Sequence, residues 1–356
     1  MMKKFSSLLI LFLVFTFSSA QEIIENPNKP LGKNAGRILR LEEMFRISDE
    51  GGDFYFMSPR IVKVAPDGSI FIYDREQLLR FDENGKFIYN YFKKGQGPGE
   101  LENLTSYVVL KDSLIIHSGS PGKLIYYNYD GKLQDEISLQ EISNRLRLHF
   151  FRDGIFYFIK PEFPRTDKGS EVMDWDQILV SLSKDSDLLH EHANFPIKTF
   201  VTGGGAVSDL GVYTALVKDQ FLFVTHTSEY MLHIFDLDSN KLIRSITRKY
   251  KRVKRPKDQR SSVIISAGKR FEAPISEYLS DVGQIVEFND NLWARTSTKD
   301  KEGRYLYDVY DIKGAYLDSF YLNVNGILIS THEDFIFVRE RDDDELISIV
   351  KYKVID

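Results

Sequence analysis

Residues 61–101 read IVKVAPDGSIFIYDREQLLRFDENGKFIYNYFKKGQGPGEL. Four short runs of β-branched and aromatic residues are separated there by turn signals, as half-buried strands require. Pro66-Asp67-Gly68 parts the first two runs, and Asp82-Glu83-Asn84-Gly85 parts the last two. A tight hairpin turn needs positive φ, which glycine accepts without strain. The stretch therefore predicts a four-stranded antiparallel unit followed by a glycine-rich crossing loop, Gly95-Gln96-Gly97-Pro98-Gly99-Glu100. The rest of the chain reads as degenerate copies of this unit.

The combination of PDG-x-IFIYD, FDENGKF and KGQGPGEL resembles the NHL-like and TolB-like six-bladed β-propellers of secreted Bacteroidetes proteins. In that group a G-x-GPGE loop carries the chain from the outer strand of one blade to the inner strand of the next. The stretches KYKRVKRPK, GKRFEAPISEYLSDV and NDNLWARTST are similar to members of the same group. The resemblance implies an all-β propeller and little about chemistry.

Repeats of the second strand and its preceding turn fix the number of blades. They begin at Ser69, Ser113, Gly154, Gln220, Asn291 and Asp334, which predicts six. A four-stranded blade takes about 40–50 residues, so the two long intervals, in the middle of the chain, carry insertions. The last repeat ends one strand short, while a spare strand, Ile38–Leu41 through Phe45-Arg46-Ile47, precedes the first blade. Pairing that strand onto the last blade closes the ring and covers two sheet edges at once.

The amino terminus has a different character. Lys3-Lys4 precedes an apolar run, Leu8 to Phe17, and the small residues Ser18-Ser19-Ala20. This pattern predicts a secretory signal peptide over residues 1–20, too short for a membrane span. Gln21 to Gly36 reads as a flexible segment, and 37–356 as a single propeller domain. The sequence has no cysteine, which excludes a disulfide framework and lipid anchoring through an acylated cysteine. A periplasmic or secreted protein is expected. A net charge of −5 offers no global attraction for nucleic acid.

The three long insertions, 161–176, 196–211 and 250–281, all fall between second and third strands or between blades. Those connections share one face of the disc, at the mouth of the central channel, where a ligand is expected. The face is lopsided toward blades three to five.

Several groups on that face are candidates for binding. Arg252, Lys254, Arg255 and Lys257, within the run from Arg248, form a basic patch suited to an anionic ligand; a solvated, mobile loop is the alternative. Asp174-Trp175-Asp176 places an indole between two carboxylates, which could stack on and hydrogen-bond a sugar, or could be a loop with a buried anchor. Tyr73, His117 and Arg295 end second strands and are expected to point toward the loop-rich face, where packing between blades could also occupy them. Gly95, Gly97, Pro98 and Gly99 read as structural, because no helix follows to make a phosphate cradle. His190-Glu191-His192 has same-face strand spacing but falls on an outer strand, and no metal or cofactor motif is present. Asp112-Ser113-Leu114 matches a short periplasmic O-glycosylation pattern at an expected turn.

These readings favour a binding or interaction module taking a glycan, peptide or other small molecule at the loop-rich face. The alternative is a metal-dependent propeller enzyme of lactonase or lyase type. A third option is an envelope protein partner held at the outer blade edges.

Overall fold

Strands in this chain are apolar on both faces, so each sheet must be covered twice. In blade one, Phe71 joins a cluster with Tyr107, Ile116 and Ile125 of blade two, whereas its neighbours Ile70 and Ile72 pack with Phe337 and Ile349 of blade six. Side chains alternate across a strand, and the alternation sends successive residues into opposite seams. Among the described residues the buried apolar side chains form six clusters, one in each seam between adjacent blades.

The computed structural model describes residues 22–355 apart from 50–51, 120–121, 140–145, 167–168, 184–188, 203–204, 209, 260, 267–268 and 275. The expected signal peptide, residues 1–20, lies outside them. So do Arg260, which follows the basic run, Gly203-Gly204 within the 196–211 insertion, and Lys184-Asp185, at the turn expected before the fourth strand of blade three.

Six antiparallel blades make a ring. Their inner strands are Ile61–Val64, Ser106–Val109, Arg147–Arg152, Tyr213–Val217, Val282–Phe288 and Gly326–His332. Every second strand begins within one residue of its expected start. The turns that marked the repeats have the backbone that a tight hairpin demands. Lys218 and Asp219 both have positive φ (54° and 50°), as do Asn289 and Asp290 (48° and 63°). The ring closes as expected, with Leu41–Ile47 pairing antiparallel to Ile347–Val354 as the fourth strand of blade six.

The segment read as a flexible tether is ordered. Glu22–Asn26 adds a fifth strand, parallel to Lys241–Arg248, at the outer edge of blade four. The chain then crosses to blade five, where Leu31 and Gly32 donate to the carbonyls of Tyr316 and Leu317 and Arg37–Ile38 pairs with Phe320 and Tyr321. Asn26 fastens this strap. Its amide donates to the Gly314 carbonyl at 2.9 Å and accepts from the Tyr316 N–H at 3.0 Å. Backbone pairing to exposed sheet edges needs no apolar sequence, so a polar segment can be held as firmly as a core strand.

Two insertions also differ from the expected loops. Pro161–Asp176 lengthens the hairpin of blade three: its third strand runs Ser170–Ser183, and the front half pairs with Ile197–Thr202, which in turn pairs with Gly205–Val207. The two separate insertions thus build one side sheet. The third folds as an isolated hairpin, Ser261–Ser266 with Lys269–Pro274.

Candidate functional site

The connection after each second strand and the connection between blades lie at the same end of an antiparallel blade. The side sheet and the isolated hairpin therefore stand on one face as a crown over blades three to five. Alternation decides what the side sheet presents. Ile197, Thr199 and Val201 are buried against the body. The opposite face carries Val172, Phe200 and Val207, which lie in direct cross-strand register. Val172 is 53% exposed and Val207 39%. On the hairpin, Val263 and Ile265 are two apart and share a face, with Ile265 76% exposed. Both raised elements thus carry exposed apolar side chains, the kind of surface on which proteins make contacts.

The same alternation corrects the reading of Asp174-Trp175-Asp176. These residues are in a strand, so Trp175 points to the face opposite Asp174 and Asp176 and packs on Phe163, with ring centres 4.3 Å apart. Asp174 pairs with Lys198 at 2.8 Å and Asp176 accepts from the Asn194 amide at 2.6 Å. The indole and the two carboxylates do not converge on one ligand.

The arginines of the basic run turn inward, while its lysines stay exposed. Arg252 meets the buried Asp281 carboxylate at 3.1 Å and donates to the Ser228 carbonyl. Lys254 pairs with Glu277 at 3.2 Å, and Arg255 donates to the Ser276 carbonyl. Lys254 bridges to Tyr278 through the backbone, so the run is zipped onto residues 277–279. Lys257 alone of the four stays exposed with no carboxylate within ion-pair distance among the described residues, in the short turn Lys257–Gln259. Carboxylates brought in from more than twenty residues along the chain cancel part of the field that a bare string of cations suggests.

Arg248, at the head of the run, is buried between blades four and five. Its guanidinium donates to Asp308 at 2.8 Å and stacks near the rings of Tyr230, Tyr250 and Tyr316. Tyr230 and Tyr316 donate to the two oxygens of the same carboxylate at 2.6 and 2.7 Å. Burial penalises both charges. It pulls the Asp308 carboxyl upward against Arg248 and the two hydroxyls, while Asp308 and the tyrosines more than offset it for Arg248, whose guanidinium is held above its usual range.

Tyr73, His117 and Arg295 are committed between strands. Tyr73 donates to the Leu104 carbonyl at 3.0 Å, and burial raises its hydroxyl pKa. Arg295 donates to the Gly283 carbonyl at 3.2 Å and lies over Tyr305. His117 is 1% exposed and sits edge-on to Phe158, so burial lowers its imidazole to about 4. In the glycine loop the Glu100 carboxylate accepts from the Gly97 N–H at 3.0 Å, and Glu136 accepts from the Gly99 N–H at 2.9 Å. Gly99 has φ of 72°, and a Cβ there would lie 2.8 Å from the Tyr127 hydroxyl.

Two groups at the inner strands escape the sequence reading. Lys63 lies over the Tyr107 ring, and burial lowers its ammonium to about 8. His149 meets the Thr214 hydroxyl at 2.8 Å, tying blades three and four together, and burial lowers its imidazole to about 4. A polar residue flanked by apolar neighbours, Val62-Lys63-Val64 and Leu148-His149-Phe150, is the mark that could have found both. Among the described residues no three His, Asp or Glu side chains converge as metal ligands. His192 of the His190-Glu191-His192 stretch instead bonds the Ser181 hydroxyl at 2.7 Å. No described helix is long and apolar enough to cross a membrane.

A family model described as a 6-bladed beta-propeller matches residues 52–188. No curated protein matches the chain. Among solved structures, a protein of Bacteroides fragilis described as exported is 14% identical, with a TM-score of 0.57 over 94% of this chain and all (100%) of that one. A member of the duf4221 family from Bacteroides vulgatus is 12% identical, with a TM-score of 0.54 over 90% of this chain and 99% of that one. At such identity the likeness speaks for the fold. Seam clusters, strand register, family model and structural neighbours agree: the chain is a six-bladed β-propeller.

Proposed function

We propose that this propeller is an exported binding module that takes an extended peptide, or a peptide segment of a protein partner, on the crown over blades three to five. The in-register apolar row Val172–Phe200–Val207 on an exposed sheet face carries this reading. An extended peptide presents side chains every second residue, a spacing that matches a flat row flanked by the Asp174–Lys198 pair. A glycan is the weaker ligand for this surface, because Trp175 faces away from it. The basic patch contributes through Lys257 rather than through Arg252, Lys254 and Arg255. Export is supported by the apolar run after Lys3-Lys4 and by the exported relative of known structure.

Parallel peptide and glycan arrays test the proposal, with native protein and the variant Val172→Asp/Phe200→Asp. Peptides with alternating apolar residues should bind the native chain, and the variant should lose them while keeping its melting temperature. Binding that survives the substitutions, or hits confined to glycans, would overturn the reading.

A further inference from the structure

Where the strap crosses from blade four to blade five it encloses a groove of about 470 Å³. The strap supplies Lys29 and Lys33, and blade four supplies Tyr250 and Lys251 as it ends. Tyr316 and Tyr321 of blade five form the far wall. Thr298, Ser319 and Asn28 add hydroxyl and amide groups. Among the described residues no Asp or Glu lines the groove, although the whole chain carries a net charge of −5. Lys29, Lys33 and Lys251 have no carboxylate within ion-pair distance among the described residues, in contrast to Arg252 and Lys254 of the basic run. Arg248 in the floor is already neutralised by Asp308.

We propose that this groove is a binding site for an acidic sugar, a ring of one or two units bearing a carboxylate or a phosphate. The volume is within the range of about 300–1,000 Å³ typical of small-molecule pockets. Tyrosine rings offer flat apolar surface to a sugar face, while the hydroxyls of Tyr321, Thr298 and Ser319 meet its hydroxyls; that of Tyr316 is already given to Asp308. Three unpaired ammonium groups around an acid-free wall select an anion over a neutral sugar. Its lining includes none of Val172, Phe200 and Val207, so the site does not depend on the peptide reading. Because Lys29 and Lys33 ride on the strap and Lys251 on the ring, a bound anion would also tie the strap down. A ligand that favours the fastened state protects it in proportion to occupancy.

Calorimetric titration of the full chain with glucuronic acid, glucose 6-phosphate, inorganic phosphate and glucose tests this, with limited proteolysis of the strap read alongside. One or both acidic sugars should bind and slow cleavage between residues 27 and 36, and glucose should do neither. The stronger of the two acidic sugars identifies carboxylate or phosphate as the favoured anion. In Lys29→Ser/Lys33→Ser/Lys251→Ser, affinity should fall by at least about tenfold with the melting temperature unchanged. Binding undiminished in that variant would overturn the site. Failure of both acidic sugars, or inorganic phosphate binding as tightly as the sugar phosphate, would overturn the ligand class.

Discussion

Arg248 and Asp308 belong to neighbouring blades and meet at 2.8 Å with side chains only 5% and 0% exposed. The pair ties the outer strand of blade four to the third strand of blade five. Its remaining hydrogen-bonding capacity is filled by Tyr230 and Tyr316, the condition under which a buried pair is tolerable. Removing one charge strands the other. Arg248→Met should therefore cost about 3–5 kcal/mol, and Arg248→Met/Asp308→Leu should cost less than that single change. Urea unfolding of both variants checks this. A single variant as stable as the native chain would show that the pair contributes little.

His117 makes acid sensitivity predictable. Its imidazole is neutral in the fold down to about 4, whereas a free histidine takes a proton near 6.5. Between those values the unfolded chain binds a proton that the folded one refuses, so stability is lost as pH falls through that window. The contribution is about 3 kcal/mol for a fully enclosed group. Melting temperatures measured from pH 7 to 4.5 should drop less steeply for His117→Gln than for the native protein. Parallel curves would mean that His117 is reached by water.

Gly99 and Gly303 separate strain from crowding. Both have positive φ, but only Gly99 has a neighbour within 4 Å of an added Cβ, the Tyr127 side chain with Leu133 beyond it. Gly303→Ala should cost about 1 kcal/mol, the backbone penalty alone. Gly99→Ala should cost at least about 1 kcal/mol more, because the tyrosine must move or lose its bond to the Gly99 carbonyl. Equal costs, measured by thermal unfolding, would place the whole effect in the backbone.

Much of the ring can be read in the sequence because blades announce themselves locally. Lys218-Asp219 and Asn289-Asp290 sit between apolar runs, and each pair takes up the backbone of a tight hairpin. The strap is harder. Only Asn26 in Glu22–Asn26 is buried, and the strand is held by backbone bonds to an edge, which leave no apolar pattern behind. The crown misleads for another reason. Pro161, Pro164 and Pro196 punctuate its ends, and a strand with one exposed face reads as a polar loop unless Val172, Asp174 and Asp176 are seen to alternate with Met173 and Trp175. The carboxylates that pair with Arg252 and Lys254, Asp281 and Glu277, lie more than twenty residues away, beyond the reach of any local pattern.

The joint between the two ends of the chain sets the order of assembly. Asn26 reaches Tyr316 across 290 positions, and Leu41 pairs with Val354. Neither the strap nor the strand Leu41–Ile47 can take its final place until blades four to six exist to receive it. Closing a loop of that length costs about 5 kcal/mol of chain entropy before any contact offsets it. Folding should thus proceed as an open arc of blades whose last event is docking of the earliest segment, and that event should be the slow one. The native ring, once shut, is locked by the residues that waited longest.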